Sequence, residues 1–272
     1  MHDPVQHVSR QIWREAGFSQ GSRAVPEETA VALTYNAGSY AVMMATPRDL
    51  EDFAVGFSLS EGIVSSASEI TSREVVELDN GIELRMWLAG EIAQRLSARR
   101  RNIAGPTGCG LCGIDSITQA LRPAAIVATQ RQFSPHEIMA AMQAMPPLQA
   151  LNTETRAVHA AAFWSPARGI AALREDVGRH NALDKLAGAM ARQNIAAANG
   201  MVVLTSRVSV EMVQKTAAIG APVIVSVSAP TALAIRMAES AGITLAAIAR
   251  SDGFEVFTHH DRIATGEAAD VA

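Results

Sequence analysis

The chain has 272 residues, with Lys and Arg numbering 23 against 27 Asp and Glu, for a formal charge of −4. Half of it is apolar but only 4% is aromatic, so Ala, Val, Leu and Ile must pack a core that a chain of this length can bury. The acidic balance offers no basic face for nucleic acid. No run approaches the roughly 20 apolar residues of a spanning helix, and the polar first ten residues do not read as a secretory signal. These features lead to the expectation of a cytoplasmic protein without membrane or nucleic-acid partners.

The predicted elements fall into two textures. Residues 1–26 read as an N-terminal extension, followed by a hairpin-rich α+β domain over 27–122. In that domain Ala30–Tyr35 and Tyr40–Ala45 flank the turn sequence Asn36-Ala37-Gly38-Ser39, and Arg73–Leu78 and Ile82–Leu88 flank Asp79-Asn80-Gly81. Between them Leu50, Phe53, Ala54 and Phe57 recur at helical spacing, with Gly62 as the stop.

Residues 123–263 read as an α/β domain, and 264–272 as a frayed tail. Ser134 is placed to cap a methionine-rich helix. A hairpin of Arg156–Phe163 and Arg168–Arg174 precedes a helix bearing Leu183, Leu186 and Met190. Unbroken apolar runs at 201–205, 223–227 and 243–249 then alternate with helices at 208–219 and 231–241, before a short strand at 255–258. Strands joined through helices predict right-handed crossovers and a largely parallel sheet. Glu211 and Lys215, four residues apart, read as a solvated helix pair.

Both cysteines lie in one glycine-rich segment, Gly108-Cys109-Gly110-Leu111-Cys112-Gly113, within a loop spanning 99–114 that opens on three arginines. A structural zinc site needs four ligands, and only distant partners such as His136 could supply the rest. A thioredoxin-like pair normally opens a helix in a βαβ unit, which this loop does not. An incidental surface loop is the bland alternative. A nucleophilic carrier fits best, with Asp115 capping the next helix and Cys112 near its N-terminus, where backbone N–H groups favour a thiolate. No resident metal is expected.

A second set of candidates lies where strands lead into helices, the ligand edge of an open α/β sheet. Asp176, Gly178, Arg179, His180 and Asn181 follow one strand; Ser206 and Arg207 the next; Ser228 the third; and Ile248, Ala249, Arg250, Ser251, Asp252 and Gly253 the last. Arginines in three of four such turns describe an anion and nucleotide cradle. Asp176 and Thr231 could equally be helix caps, and a lone His180 is more often a hydrogen-bonded structural residue. The strand and helix order is also that of cytidine-deaminase-like domains, a three-layer αβα arrangement. Their zinc chemistry needs Pro-Cys-x-x-Cys where this chain reads Thr205-Ser206-Arg207-Val208-Ser209.

The cysteine tetrapeptide, the block Glu175-Asp176-Val177-Gly178-Arg179-His180-Asn181-Ala182-Leu183-Asp184-Lys185, Ser206-Arg207 with Glu211-Met212, and Val256-Phe257-Thr258-His259 together resemble the FdhD family. The resemblance runs from about Glu27 to Ile263 and implies an accessory sulfurtransferase of formate dehydrogenase. Such proteins accept persulfide sulfur from a cysteine desulfurase. They pass it to molybdenum (or tungsten) bis(molybdopterin guanine dinucleotide), bound as substrate, for use by the formate dehydrogenase apoenzyme. By motif, Cys109 is the persulfide carrier, Cys112 a helper, and Ile248–Gly253 the cofactor-binding stretch. A guanine nucleotide would be a partial mimic, Asp176 or Asp252 could meet the guanines, and a homodimer is implied. The alternative is a non-catalytic chaperone that only shelters and docks the cofactor.

Overall fold

The structure is a computed structural model that describes residues 2–264 apart from 101–121, with the side chains of 97–100 left aside. Three sheets organise it: a two-stranded ribbon, a four-stranded sheet and a six-stranded sheet.

The ribbon pairs β1 (Val5–Arg14) with β2 (Gly17–Pro26). It occupies the stretch expected as an extension. The four-stranded sheet, in the order β4-β3-β6-β5, comprises β3 (Thr29–Tyr35), β4 (Gly38–Ala45), β5 (Ile70–Leu78) and β6 (Gly81–Leu88). Both expected hairpins are present. Asn36 and Ala37 take φ of 48° and 62°, the two left-handed positions of a tight turn whose twist matches the strands. Val31, Leu33, Tyr35, Ile82, Leu84 and Met86 turn inward onto Phe53, Val55 and Phe57 of α1 (Leu50–Ser60). A further helix, α2 (Gly90–Arg100), adds Ile92 and Leu96 to that core.

In the second half α3 (Pro135–Ala144) begins with a full capping box, Ser134 and Glu137 each satisfying the other's backbone N–H. The short α4 (Ala150–Thr155) follows, ended by Arg156 in a left-handed conformation. The six-stranded sheet runs β12-β11-β10-β9-β7-β8. Its strands are β7 (His159–Ser165), β8 (Gly169–Asp176), β9 (Met201–Leu204), β10 (Val223–Ser226), β11 (Thr244–Arg250) and β12 (Gly253–Val256). Helices α5 (Arg179–Arg192), α6 (Val210–Ile219) and α7 (Ala232–Ala241) cover one face, and α3 packs on the other.

The sheet is mixed rather than largely parallel. Only β9–β10 and β10–β11 pair in parallel; β7 pairs antiparallel with both neighbours, and β12 returns antiparallel to β11. Helical crossovers enforce parallel pairing only where they occur, and the outer strands are joined by hairpins. Because β7 is antiparallel to both β8 and β9, the carboxyl ends of β8, β9, β10 and β11 still emerge at one edge.

Helices α1 and α5 join the two halves through a very close antiparallel contact. A Cβ on Gly56 would lie 1.6 Å from the Asp184 carbonyl oxygen, and one on Gly188 would lie 1.8 Å from that of Asp52. Only glycine at both places lets the backbones touch, and this contact brings polar groups of both halves into one buried layer.

Candidate functional site

The Glu175–Lys185 block spans the end of β8 and the start of α5, and most of it turns inward. Glu175 accepts from the Leu151 and Asn152 N–H groups at 2.8 Å each, compensating the N-terminus of α4. Asp176 is fully buried and accepts four hydrogen bonds. One oxygen takes Gly178 N (2.7 Å) and Asn181 Nδ2 (3.0 Å); the other takes Thr46 N (3.0 Å) and Lys185 Nζ (2.6 Å). A carboxylate with four donors has no lone pair left for a guanine. Asn181 also donates to the Met44 carbonyl, and Lys185 to that of Thr46. Gly178 serves the same cluster, since a Cβ there would sit 2.8 Å from the Asn181 amide nitrogen. Asp176, Gly178 and Asn181 therefore tie the end of β4 to the start of α5. Of the two carboxylates proposed for guanine, Asp252, exposed at the β11–β12 turn, is the one that remains open.

Next to this cluster Lys215 is buried, not solvated. It donates to both Asp184 oxygens (2.8 and 3.0 Å), to Glu61 (3.2 Å) and to Ser60 (3.0 Å). Burial opposes its charge, but the Asp184 and Glu61 carboxylates outweigh that and hold its pKa above the ordinary lysine value. Its partner is therefore a neighbouring helix, and the expected pairing with Glu211 is replaced. Nearby, Asp52 accepts from Arg174 (2.6 Å) and Arg192 (2.5 Å). Two ion-pair clusters thus straddle the α1–α5 contact, and the Asp176–Lys185 pair ties the end of β4 to α5 beside them.

Two residues of the block are left over. The Nε of Arg179 and the Nε2 of His180 are buried and meet no hydrogen-bond partner among the described residues, and the same holds for Ser209 Oγ just before α6. Burial pushes the His180 pKa down to about 4, helped by the Arg179 and Lys215 cations and opposed by Glu211 and Glu61. At neutral pH the ring is an uncharged donor or acceptor. Unpaired buried polar atoms each cost roughly 1–3 kcal/mol unless something satisfies them. All three lie where strands lead into helices, the edge at which the sequence leads one to expect a polar ligand.

The neighbouring turns form a shelf held together by backbone contacts. Ser226 Oγ donates to the Ser206 carbonyl (2.6 Å), and the Ser228 N–H donates to Ser226 Oγ (3.1 Å). Ile248 N donates to the Ser228 carbonyl at 3.3 Å, and Val208 bridges to Pro230. Arg207, Arg250, Ser251 and Asp252 stand exposed along this shelf, while Ala249 faces the core and has only its backbone to offer. Ile248 adopts φ 53°, an unfavourable left-handed conformation for a β-branched residue, at the bulge between Ala247 and Arg250. The strained bulge lies inside the stretch singled out from the sequence. Thr231 is a true cap, accepting from Ala234 N.

Cys109 and Cys112 lie outside the described residues, as does Asp115. Among the described residues no group of three His, Cys, Asp or Glu side chains is arranged to hold a metal, and no helix is long and apolar enough to cross a membrane.

The family model of FdhD/NarQ matches residues 26–264. The chain belongs to the FdhD/NarQ family. Among similar FdhD proteins, one from Agrobacterium fabrum, named sulfur carrier protein FdhD, is 54% identical over 95% of this chain and 96% of its own. One of the same name from Brucella abortus is 53% identical over 95% and 98%. A crystal structure from Desulfotalea psychrophila, named provisionally as a formate dehydrogenase accessory protein, is similar with a TM-score of 0.76 and 26% identity. That likeness covers 96% of this chain and all of that one.

Proposed function

We propose that this chain is a sulfurtransferase serving formate dehydrogenase, with a persulfide on Cys109 as the intermediate. The Cys109 thiolate attacks the outer sulfur of a cysteine desulfurase persulfide. The donor's S–S bond breaks, the donor cysteine leaves as thiolate, and Cys109 holds the sulfane sulfur. That sulfur then becomes a ligand of the metal in molybdenum (or tungsten) bis(molybdopterin guanine dinucleotide). The metal centre supplies the two electrons that convert it to sulfide, and Cys109 returns to thiolate. Cys112 is the helper that keeps its neighbour ionised.

The observation that carries the reading is the unsatisfied strand-end edge. Arg179, Arg207 and Arg250 suit the substrate's pyrophosphates; Ser206, Ser228 and the backbone of Ile248–Gly253 suit its polar periphery; Asp252 suits a guanine. His180, uncharged at neutral pH, suits a hydrogen bond where a cation is not needed. The names of the relatives support the sulfur-carrying role, and the crystal structure's name supports the link to formate dehydrogenase. The reading includes a homodimer working in the cytoplasm, where thiols stay reduced.

Mass spectrometry after incubation with a cysteine desulfurase and cysteine tests it. The peptide holding Cys109 should gain one sulfur, and the Cys109→Ser chain should gain none there. That variant should still bind GDP, the partial mimic, yet fail to mature formate dehydrogenase. Full maturation by Cys109→Ser would overturn the transfer and leave the cofactor-sheltering chaperone.

A further inference from the structure

At the edge opposite the strand ends, where β8 and β9 begin, the β7–β8 turn and the loop from α5 to β9 enclose a cavity of about 440 Å³. That is the size of a small-molecule site. Helix α5 begins at Arg179 and ends at this cavity, so its 14 residues hold the two edges about 20 Å apart at 1.5 Å per residue. Sulfur transfer as proposed above makes no use of it.

Both walls are set by the fold. Asn194 takes φ 53°, the left-handed position that ends a helix, and the Asn194 and Ile195 N–H groups donate to the Ala191 and Met190 carbonyls. Those bonds use up carbonyls that would otherwise repel an anion. Gly200 lets the loop press onto the cavity floor, since a Cβ there would lie 2.3 Å from the Phe163 ring. On the other side the Arg168 N–H returns to the Ser165 carbonyl at 3.2 Å and closes the turn.

The described residues that line the cavity include two cations, Arg131 and Arg168, and no acidic side chain. Arg131 is held in place: its guanidinium carbon lies 4.8 Å from the Phe133 ring centre, and one nitrogen donates to Glu137 at 2.9 Å. Its Nε meets no partner among the described residues, so Glu137 takes up only part of a five-donor group. Arg168 is exposed and forms no ion pair among the described residues. Two arginines less one carboxylate leave a local charge of +1. Asn194 and Asn199 add neutral amides, and Pro166 and Ile195 add an apolar wall.

We infer that this cavity is a binding site for a small organic carboxylate. One negative charge matches the local excess, a planar carboxylate matches the arginine fork, and a short carbon skeleton suits the Pro166 and Ile195 wall. A nucleoside diphosphate carries more charge than this site balances and is better matched by the three arginines of the strand-end edge. The inference stands or falls independently of Cys109.

Benzoate is the probe, titrated calorimetrically into the full chain. It should bind saturably in the millimolar range, and its neutral analogue benzamide should not. Arg168→Gln removes a charge from an exposed turn and touches no described ion pair. It should weaken benzoate at least tenfold, the scale of one lost charge-assisted contact, with an unchanged circular dichroism spectrum. Asn199→Asp, which cancels the local excess, should do the same. GDP should bind equally well with and without saturating benzoate. No saturable benzoate binding, equal binding of benzamide, or full benzoate affinity in either variant would each overturn the site. Competition between benzoate and GDP would overturn it too, by moving the carboxylate to the strand-end edge.

Discussion

Two neighbouring parts of one sequence block behave in opposite ways. In the inner part Glu175, Asp176, Asn181, Asp184 and Lys185 are buried and saturated with partners, including Thr46 and Ser60 from the first half of the chain. In the outer part Arg179 and His180 carry buried nitrogens that meet no partner among the described residues, and Arg207 and Arg250 stand exposed on adjoining turns. A polar residue in a recognisable motif can therefore serve either assembly or ligand binding. The difference lies in whether the fold has already used up its hydrogen-bonding capacity. Here the inner residues hold the platform on which the outer ones are displayed.

The sharpest way to break this comparison is to remove a saturated residue. Asp176→Ala strands the Lys185 ammonium, fully buried, together with the Thr46 and Gly178 N–H groups. Removing one partner of a buried pair typically costs about 3–5 kcal/mol. Urea unfolding should show a loss of that size, and the companion change Lys185→Met in the same chain should recover much of it. A loss under 1 kcal/mol would mean that the inner cluster is dispensable.

A smaller effect should come from His180 through pH. Its folded pKa of about 4 lies below the ordinary histidine value, so the unfolded chain binds this proton more readily. Stability therefore falls as pH drops from 6.5 towards 4, by up to about 3 kcal/mol from this group, and is unaffected by it above 6.5. Denaturant midpoints across that range should decline less steeply in His180→Asn than in the wild type. Parallel curves would show that the ring already finds a partner or solvent when protonated.

Much of this arrangement was legible before any coordinates. The Asn36 turn, the Ser134 capping box, the apolar strands at 201–205 and 223–227 and the strand-end clustering all follow from local chemistry that acts in any context. What escaped was set by the tertiary structure. Lys215 lies four residues from Glu211, the spacing of a surface pair, but α5 brings Asp184 to it instead. Asp176 reads equally well as a cap or a ligand, and only Thr46, 130 residues away in sequence, shows that it is spent. The ribbon hid for another reason. Hydrophobic alternation reveals a strand only when one face is buried, and neither of its faces is. The short α4, six residues long, is held by Glu175 rather than by its own propensity.

The smallest change in stability should accompany the clearest change in binding. Arg207 is exposed and makes no ion pair among the described residues, so Arg207→Ala should alter unfolding by less than about 0.5 kcal/mol, the usual range for such surface positions. If the outer residues are displayed for an anion, the same substitution should weaken GDP binding about tenfold, as expected for one lost charge-assisted contact of roughly 1.5 kcal/mol. Calorimetric titration at fixed, low salt reads this directly, since screening would shrink the difference. Arg168 is the matched control: an arginine at the β7–β8 turn, on the opposite edge of the same sheet, whose removal should leave GDP affinity unchanged. Equal losses from both variants would mean that net charge alone attracts the nucleotide. A loss confined to Arg207 would tie recognition to the edge where β8 through β11 end, beside the Arg179 and His180 nitrogens that meet no partner among the described residues.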